Sequence, residues 1–253
     1  LDLIVNLIQE NSGKDLYIRH AAIEALTKFD AKTLGILNTH NSVEVQLCAV
    51  VALRRNKAPE IRRFLKAESD FVSTEAALGI YDDFSILPAM SYLAEALESS
   101  DNNKTAFVLR AINANARIGS FENAARVAKW ASDETQSEEH RLFALKRLIE
   151  WNSPPKLDAV TGRYRSSQDS IAEFSSVRQA LEPFIQRLLV DGSAKVQAAA
   201  MQLSRKYDLL PSHEILVRLI KQETSDESVR IAALQAMADE KGVISNREVL
   251  RDA

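Results

Sequence analysis

The sequence predicts an all-α fold, an α-solenoid of about seven antiparallel helix pairs. Three observations predict it. The stretch Ser225-Asp226-Glu227-Ser228-Val229-Arg230-Ile231-Ala232-Ala233-Leu234-Gln235-Ala236-Met237-Ala238 opens on a capping residue with acids in its first turn. It then places apolar residues at Val229, Ala232, Ala233, Ala236 and Met237, the stripe of one helix face. The same string recurs without a gap as Ile18-Arg19-His20-Ala21-Ala22-Ile23-Glu24-Ala25-Leu26. It recurs again as Val45-Gln46-Leu47-Cys48-Ala49-Val50-Val51-Ala52-Leu53, with looser copies over 72–80, 109–116, 141–148 and 196–203. The copies lie about 27 residues apart at the start and about 33 to 37 apart later, the range of helix-pair repeats with short first members. Finally, 7 Gly and 6 Pro are few, and no alternating Val, Ile and aromatic run is long enough for a sheet. A helix with so narrow a stripe cannot bury it alone, and its alanines let a second helix approach closely.

In chain order, residues 1–10 read as the second helix of a pair whose first helix is missing, so the chain is expected to be cut from a longer polypeptide. Residues 15–29 and 31–37 form the next pair, then 42–55 with 59–66, and 71–81 with 86–97. After these come 102–118 with 121–132, joined at Gly119, and 137–151 opens another pair. Residues 152–168 have no helical period, two prolines and a glycine, so a long loop interrupts the array there. A helix over 169–190 follows, with Pro183 expected to kink or restart it. Residues 193–207 pair with 212–222, and 225–238 ends the series. Gly13, Gly119, Gly192 and Gly242 fall between periodic runs. Pro59, Pro88 and Pro211 stand near the first turns of second helices, where a missing N–H costs little. Residues 1–253 are therefore expected to form one repeat domain, elongated and stabilised between neighbours.

Composition excludes several classes. Net charge is −3, with 32 basic against 35 acidic residues, which argues against nucleic acid; the clusters at Arg54-Arg55 and Arg62-Arg63 read as solvated helix ends. The single Cys48 allows no internal disulfide and no Cys-x-x-Cys site, and sits in a slot held by Ala in sister repeats, so a small buried hydrophobe is expected. No apolar run is long enough to span a membrane, and no membrane insertion is expected. His20, His40, His140 and His213 lie on different repeats with no second ligand at metal spacing, so no metal site is expected. His20 shares its slot with Leu47 and Ile231, which points to packing between helices. Asp82-Asp83 and Glu138-Glu139 read as caps rather than acid–base pairs. There is no glycine-rich phosphate loop and no Gly-x-Ser-x-Gly elbow. No catalytic, cofactor-binding or metal residue is assigned, and a non-catalytic protein is expected.

The interrupting segment Trp151-Asn152-Ser153-Pro154-Pro155-Lys156-Leu157-Asp158-Ala159-Val160-Thr161-Gly162-Arg163-Tyr164-Arg165 carries a resemblance, together with Arg110-Ala111-Ile112-Asn113-Ala114-Asn115-Ala116-Arg117-Ile118-Gly119 and Glu122-Asn123-Ala124-Ala125-Arg126. These stretches resemble the HEAT-repeat region of large secreted bacterial proteins similar to membrane-bound sugar dehydrogenases. Ala159 stands where that family has Arg. The resemblance implies HEAT-like, armadillo-like repeats between a quinoprotein-type β-propeller and a c-type cytochrome domain. It also implies a secreted or periplasmic protein.

The candidate contacts are with protein: neighbouring domains of the same chain or a separate partner. Trp151 with the tip Arg163, Tyr164 and Arg165 belongs to the residue types that dominate interfaces. The alternative is that this loop folds back over the edge of the array. Arg62, Arg63, Tyr92, Lys129 and Trp130 are candidates by their place on second helices, which would line a concave side. Asn113 and Asn115 sit mid-helix, where Asn needs a partner, either on a neighbouring domain or among the loop carbonyls of the adjoining repeat. Two rival functions remain: a freestanding adaptor gripping a protein or peptide in its concave groove, and an enzyme of the helical-repeat DNA glycosylase kind.

Overall fold

The computed structural model describes residues 1–82, 86–99, 104–164, 174–222 and 226–239. Asp83, Arg165, Ser225 and Gly242, the start of the helix expected at 102 and the first residues of that expected at 169 lie outside the described residues. The described residues are all-helical, with one isolated antiparallel bridge between Leu157 and Tyr164. The α-helices are α1 Asp2–Asn11, α2 Leu16–Leu26, α3 Ala31–Ile36, α4 Val43–Arg55, α5 Asp70–Tyr81, α6 Met90–Glu95 and α7 Thr105–Ile118. They continue as α8 Phe121–Ala131, α9 Glu138–Ile149, α10 Phe174–Val190, α11 Ala194–Lys206, α12 His213–Lys221 and α13 Glu227–Asp239.

The first helices α4, α9, α11 and α13 begin on one register, and α2 shares its cap. A cap residue at Asp15, Ser42, Ser137, Ser193 or Asp226 accepts a backbone N–H of the first turn, for example Val196 N–H on Ser193 Oγ at 3.4 Å. Three residues after the cap comes a side chain turned inward: Val45, Val72 and Val196 are fully buried, Val229 nearly so. Four after it comes a polar side chain that reaches back to a carbonyl of the preceding element. Arg141 Nε donates to Ala131 O at 2.8 Å, Gln197 Nε2 to Leu189 O at 3.0 Å, and Arg230 Nε to Ile220 O at 3.2 Å. Gln46 Nε2 donates to His40 O at 2.6 Å. These bonds satisfy helix-end carbonyls that have no partner within their own helix.

The chain divides into two compact units, Leu1–Ala114 and Asn115–Ala253. In the first, α2, α4 and α5 pack in succession. Against them lie α3, the 3-10 helix Pro59–Lys66 and α6, also packed in succession. In the second, α9, α11 and α13 form one such row and α8, α10 and α12 the other, with α8 on α9, α10 on α11 and α12 on α13. In the second unit each of these helices thus meets the next but one, and every other one meets the next. The cores run along these rows: Leu53, Ile61, Phe64, Ile80 and Leu93 are fully buried in the first unit; Val127, Leu145, Leu148 and Leu203 in the second. Each such aliphatic side chain is worth about 1.5–3 kcal/mol relative to exposure. Cys48 is fully buried, the small hydrophobe expected, and burial pushes its thiol up.

Three expectations need correction. The second helix at 59–66 is 3-10 throughout, and 86–99 alternates 3-10 turns at Leu87–Ala89 and Ala96–Ser99 with the short α6. The segment 59–66 lies close on α5: at Gly79 a Cβ would come within 2.7 Å of Ile61 Cδ1. Pro183 does not restart the helix: α10 runs through it with the ring on the exposed side. His20 is exposed, as is Ile231 at the same slot, so this slot faces outward rather than between helices.

Candidate interaction surface

The second unit is interrupted after α9 by a segment that the sequence supplies with two anchors and a turn. Trp151, 3 % exposed, sends Nε1–H to Gly119 O at 3.3 Å, fastening the start of the loop to the α7–α8 corner. Beside it, Tyr207 at the end of α11 donates its hydroxyl between Leu148 O at 3.0 Å and Asn152 Oδ1 at 2.7 Å. Burial raises the Tyr207 phenol above its ordinary range, so it remains a donor. Lys206 Nζ donates to Ile149 O at the end of α9.

Asp158 then organises the turn. Its side chain has no exposed surface. Oδ1 accepts from Val160 N–H at 3.0 Å, Thr161 N–H at 2.8 Å and Thr161 Oγ1 at 3.0 Å, while Oδ2 accepts from Arg117 Nη2 at 3.2 Å. Gly162 N–H closes onto Asp158 O at 2.9 Å with a φ of +66°, a conformation in which a side chain would be strained. Asp158 N–H donates to Arg163 O at 2.8 Å, and Leu157 bridges Tyr164. Outside this clamp the surface is of another kind. Leu157 is 57 % and Tyr164 71 % exposed, and Pro154, Pro155, Lys156 and Arg163 are exposed with them. The base of the loop thus folds back onto the helices, the alternative expected of it, while its tip is exposed. Arg165 lies outside the described residues.

The other candidates divide. In the first unit Arg62 lies 4.5 Å over the Tyr92 ring, a cation–π pair, with Arg63 exposed on the same short helix. In the second unit Lys129 is exposed, but Trp130 is 6 % exposed and tilted against His140 at 6.4 Å between ring centroids. The rings of Trp130 and Trp151 are thus part of the core that supports the surface. His140 occupies the inward slot that is Val elsewhere, and burial pushes its imidazole below the ordinary value although Glu139 acts the other way. The next residue, Arg141, is buried too, and burial lowers its guanidinium.

The mid-helix asparagines are satisfied by side chains. Asn113 Nδ2 donates to the Tyr81 hydroxyl, and Asn115 Oδ1 accepts from Asn123 Nδ2 at 2.8 Å and Arg126 Nη1 at 3.0 Å. Asp82 ends α5 and takes Arg110 in a two-pronged pair, Nε to Oδ1 at 2.7 Å and Nη2 to Oδ2 at 3.0 Å. Among the described residues no three His, Cys, Asp or Glu are placed to hold a metal ion, and no helix is long and apolar enough to cross a membrane.

Sequence reasoning passed over Asp158, Arg117, Lys156 and Leu157. The Asp-x-x-Thr-Gly spacing was the available sign, since a short acid followed by Thr and Gly favours a side-chain-closed turn. Compared with models of known protein families and with curated proteins, the chain matches none.

Proposed function

We propose that the chain is a non-catalytic HEAT-like α-solenoid of about seven helix pairs, a scaffold whose work is to hold other proteins. The observation that supports it is the common register of the first helices: cap, inward residue, back-reaching polar residue. The register is repeated on α9, α11 and α13, one row of the second unit, and on α4 of the first. Such a register makes each pair depend on its neighbour rather than on a common centre. The surfaces it leaves outward are those of an interaction protein, with the Arg62–Tyr92 pair and the projecting tip at Arg163 and Tyr164 as contact points. By the resemblance carried on 110–119, 122–126 and 151–165, the partners are a sugar-dehydrogenase-like propeller and a cytochrome domain of an exported protein.

Small-angle X-ray scattering tests the scaffold. A compact chain of this length has a radius of gyration of about 18 Å, and a clearly larger value with an elongated distance distribution is expected. A value near the compact one would overturn the solenoid. The dehydrogenase connection has its own test in the reading frame around this segment: a Cys-x-x-Cys-His haem motif after it and a signal peptide before it are expected. Lack of both removes that connection and leaves the scaffold standing.

A further inference from the structure

No Asn-Gly pair occurs in the chain, but three Asn-Ser pairs lie among the described residues: Asn11-Ser12, Asn41-Ser42 and Asn152-Ser153. In such a pair the backbone nitrogen of the serine can attack the side-chain carbonyl carbon of the asparagine. The ring that forms is five-membered, and serine crowds the nitrogen little. Two conditions decide whether a given pair reacts: the amide must be free to turn, and something must take the proton from the attacking N–H. The three pairs differ on both. The Asn11 amide is held at two points, with Nδ2 donating to Asp15 O at 2.9 Å and Oδ1 accepting from Asp15 N–H at 3.0 Å, and Ser12 N–H is taken up by Ile8 O at 3.0 Å. Asn152 Oδ1 accepts from the Tyr207 hydroxyl at 2.7 Å, and Ser153 N–H donates to Glu150 O at 3.0 Å. Asn41, by contrast, is exposed and its amide makes no hydrogen bond, while Ser42 N–H donates to the imidazole Nδ1 of His40 at 3.0 Å. A carbonyl oxygen cannot take up that proton, and an imidazole nitrogen can. The imidazole is also positioned in advance, because His40 N–H donates to Leu37 O at 3.1 Å and His40 O accepts from Gln46 Nε2 at 2.6 Å. The distance to Ser42 N is within the reach required of a general base.

We propose that Asn41 is a site of self-modification by deamidation, with His40 as its general base. His40 Nδ1 takes the proton from Ser42 N, and the electron pair left on that nitrogen forms a bond to Asn41 Cγ. The tetrahedral intermediate then collapses: the bond from Cγ to the side-chain nitrogen breaks, the imidazolium returns its proton to that nitrogen, and ammonia leaves. Water opens the resulting succinimide at one carbonyl or the other, giving aspartate or isoaspartate. One C–N bond replaces another, water is the sole reagent consumed, and nothing is oxidised or reduced. The inference stands apart from the scaffold reading. Its consequence is local and permanent. A carboxylate appears at the residue before the Ser42 cap, beside the positive end of α4, where negative charge is favoured. In the isoaspartate product the backbone also gains a methylene at the joint between the 3-10 turn Leu37–Thr39 and α4. Charge and chain geometry at one corner of the first unit therefore change with time alone.

The experiment incubates the full chain at neutral pH in water enriched in heavy oxygen and follows each asparagine by tandem mass spectrometry of its proteolytic peptides. Asn41 is expected to convert at least tenfold faster than Asn11 and Asn152, yielding aspartate and isoaspartate that both carry the heavy label. The variant His40→Ser is run alongside, because a serine hydroxyl accepts the same N–H without being a base. With circular dichroism and melting like the parent's, it should convert Asn41 at least fivefold more slowly. A measurement independent of any variant uses the parent chain in concentrated guanidinium chloride, where the bond from Ser42 to His40 is gone. There the advantage of Asn41 over the other two asparagines should vanish. Conversion of Asn41 no faster than that of Asn11 or Asn152 in the folded chain overturns the proposal. So does an unchanged rate in a folded His40→Ser. An advantage that persists in denaturant overturns it too, since the local sequence rather than the folded geometry would then set the rate.

Discussion

Asp158 is the residue on which the projecting loop depends, because one carboxylate satisfies two backbone N–H groups, a hydroxyl and a guanidinium. Asp158→Ala takes from Arg117, only 14 % exposed, the buried carboxylate to which its Nη2 donates. Breaking a buried pair from one side costs about 3–5 kcal/mol, and the partial exposure of Arg117 reduces this to about 2–3. The expected outcome is a lower urea midpoint together with faster tryptic cleavage after Arg163; unchanged cleavage would show that the turn holds without the clamp. His140 offers a second residue-scale prediction, with its sign set by burial. The folded protein holds the imidazole neutral, whereas the unfolded chain takes up a proton as pH falls through about 6.5, the ordinary value. Stability is therefore full above that value and declines as pH drops below it. His140→Val, which restores the residue of the sister slots, is expected to flatten this decline in urea midpoints measured from pH 7.5 to 5. Equal slopes in the two proteins would remove His140 as the cause.

At the scale of the element, α10 shows what a helix tolerates when its neighbours hold it. Pro183 lacks the N–H that would reach Gln179 O, and an interior proline costs about 3 kcal/mol in an isolated helix. Yet Leu181 before it and Ile185, Leu188 and Leu189 after it are all buried, and α10 packs on α8, α11 and α12. With the ring on the exposed side, Pro183→Ala should recover the missing bond and raise stability by about 1–2 kcal/mol, read as a higher melting temperature. A fall instead would mean that the proline itself helps to seat α10 on its neighbours. Here the sequence misled for a physical reason, since a proline's local cost is visible in the string while the packing that outweighs it is not. The same holds for 59–66. Its apolar residues Ile61, Phe64 and Leu65 are all buried as a second helix requires, but the close approach of Ile61 to Gly79 of α5 is a contact between elements that no local pattern encodes. First helices were legible almost to the residue, because caps at Ser42, Ser137 and Ser193 act within one turn.

Across the whole molecule, the divisions of labour between what was legible and what was not follow the range of the interactions. Repetition of the string around Val229 sufficed for the helices, since each repeats one local solution, but not for their partners: in the second unit α8 packs on α9, α10 on α11 and α12 on α13, across the expected pairs rather than within them. The loop's exposed tip was recognisable from its Arg and Tyr, but its anchors were not: Trp151 meets Gly119, 32 residues away, and Tyr207 meets Asn152, 55 residues away. Nearest-neighbour packing also makes a prediction about the chain as an assembly. The helices α12 and α13 pack on α10 and α11. In a repeat array stability is a sum over pairs and the contacts between neighbours, so an end can be removed without loss of the rest. A chain ending at Pro211 should therefore keep the helical circular dichroism of its remaining residues and unfold cooperatively. Its urea midpoint should be lower, because α10 and α11 lose the helices packed on them. If the shortened chain instead lost most of its helicity, the pairs would be held by a shared centre, and a scaffold built from independent neighbours would be the wrong description of this protein.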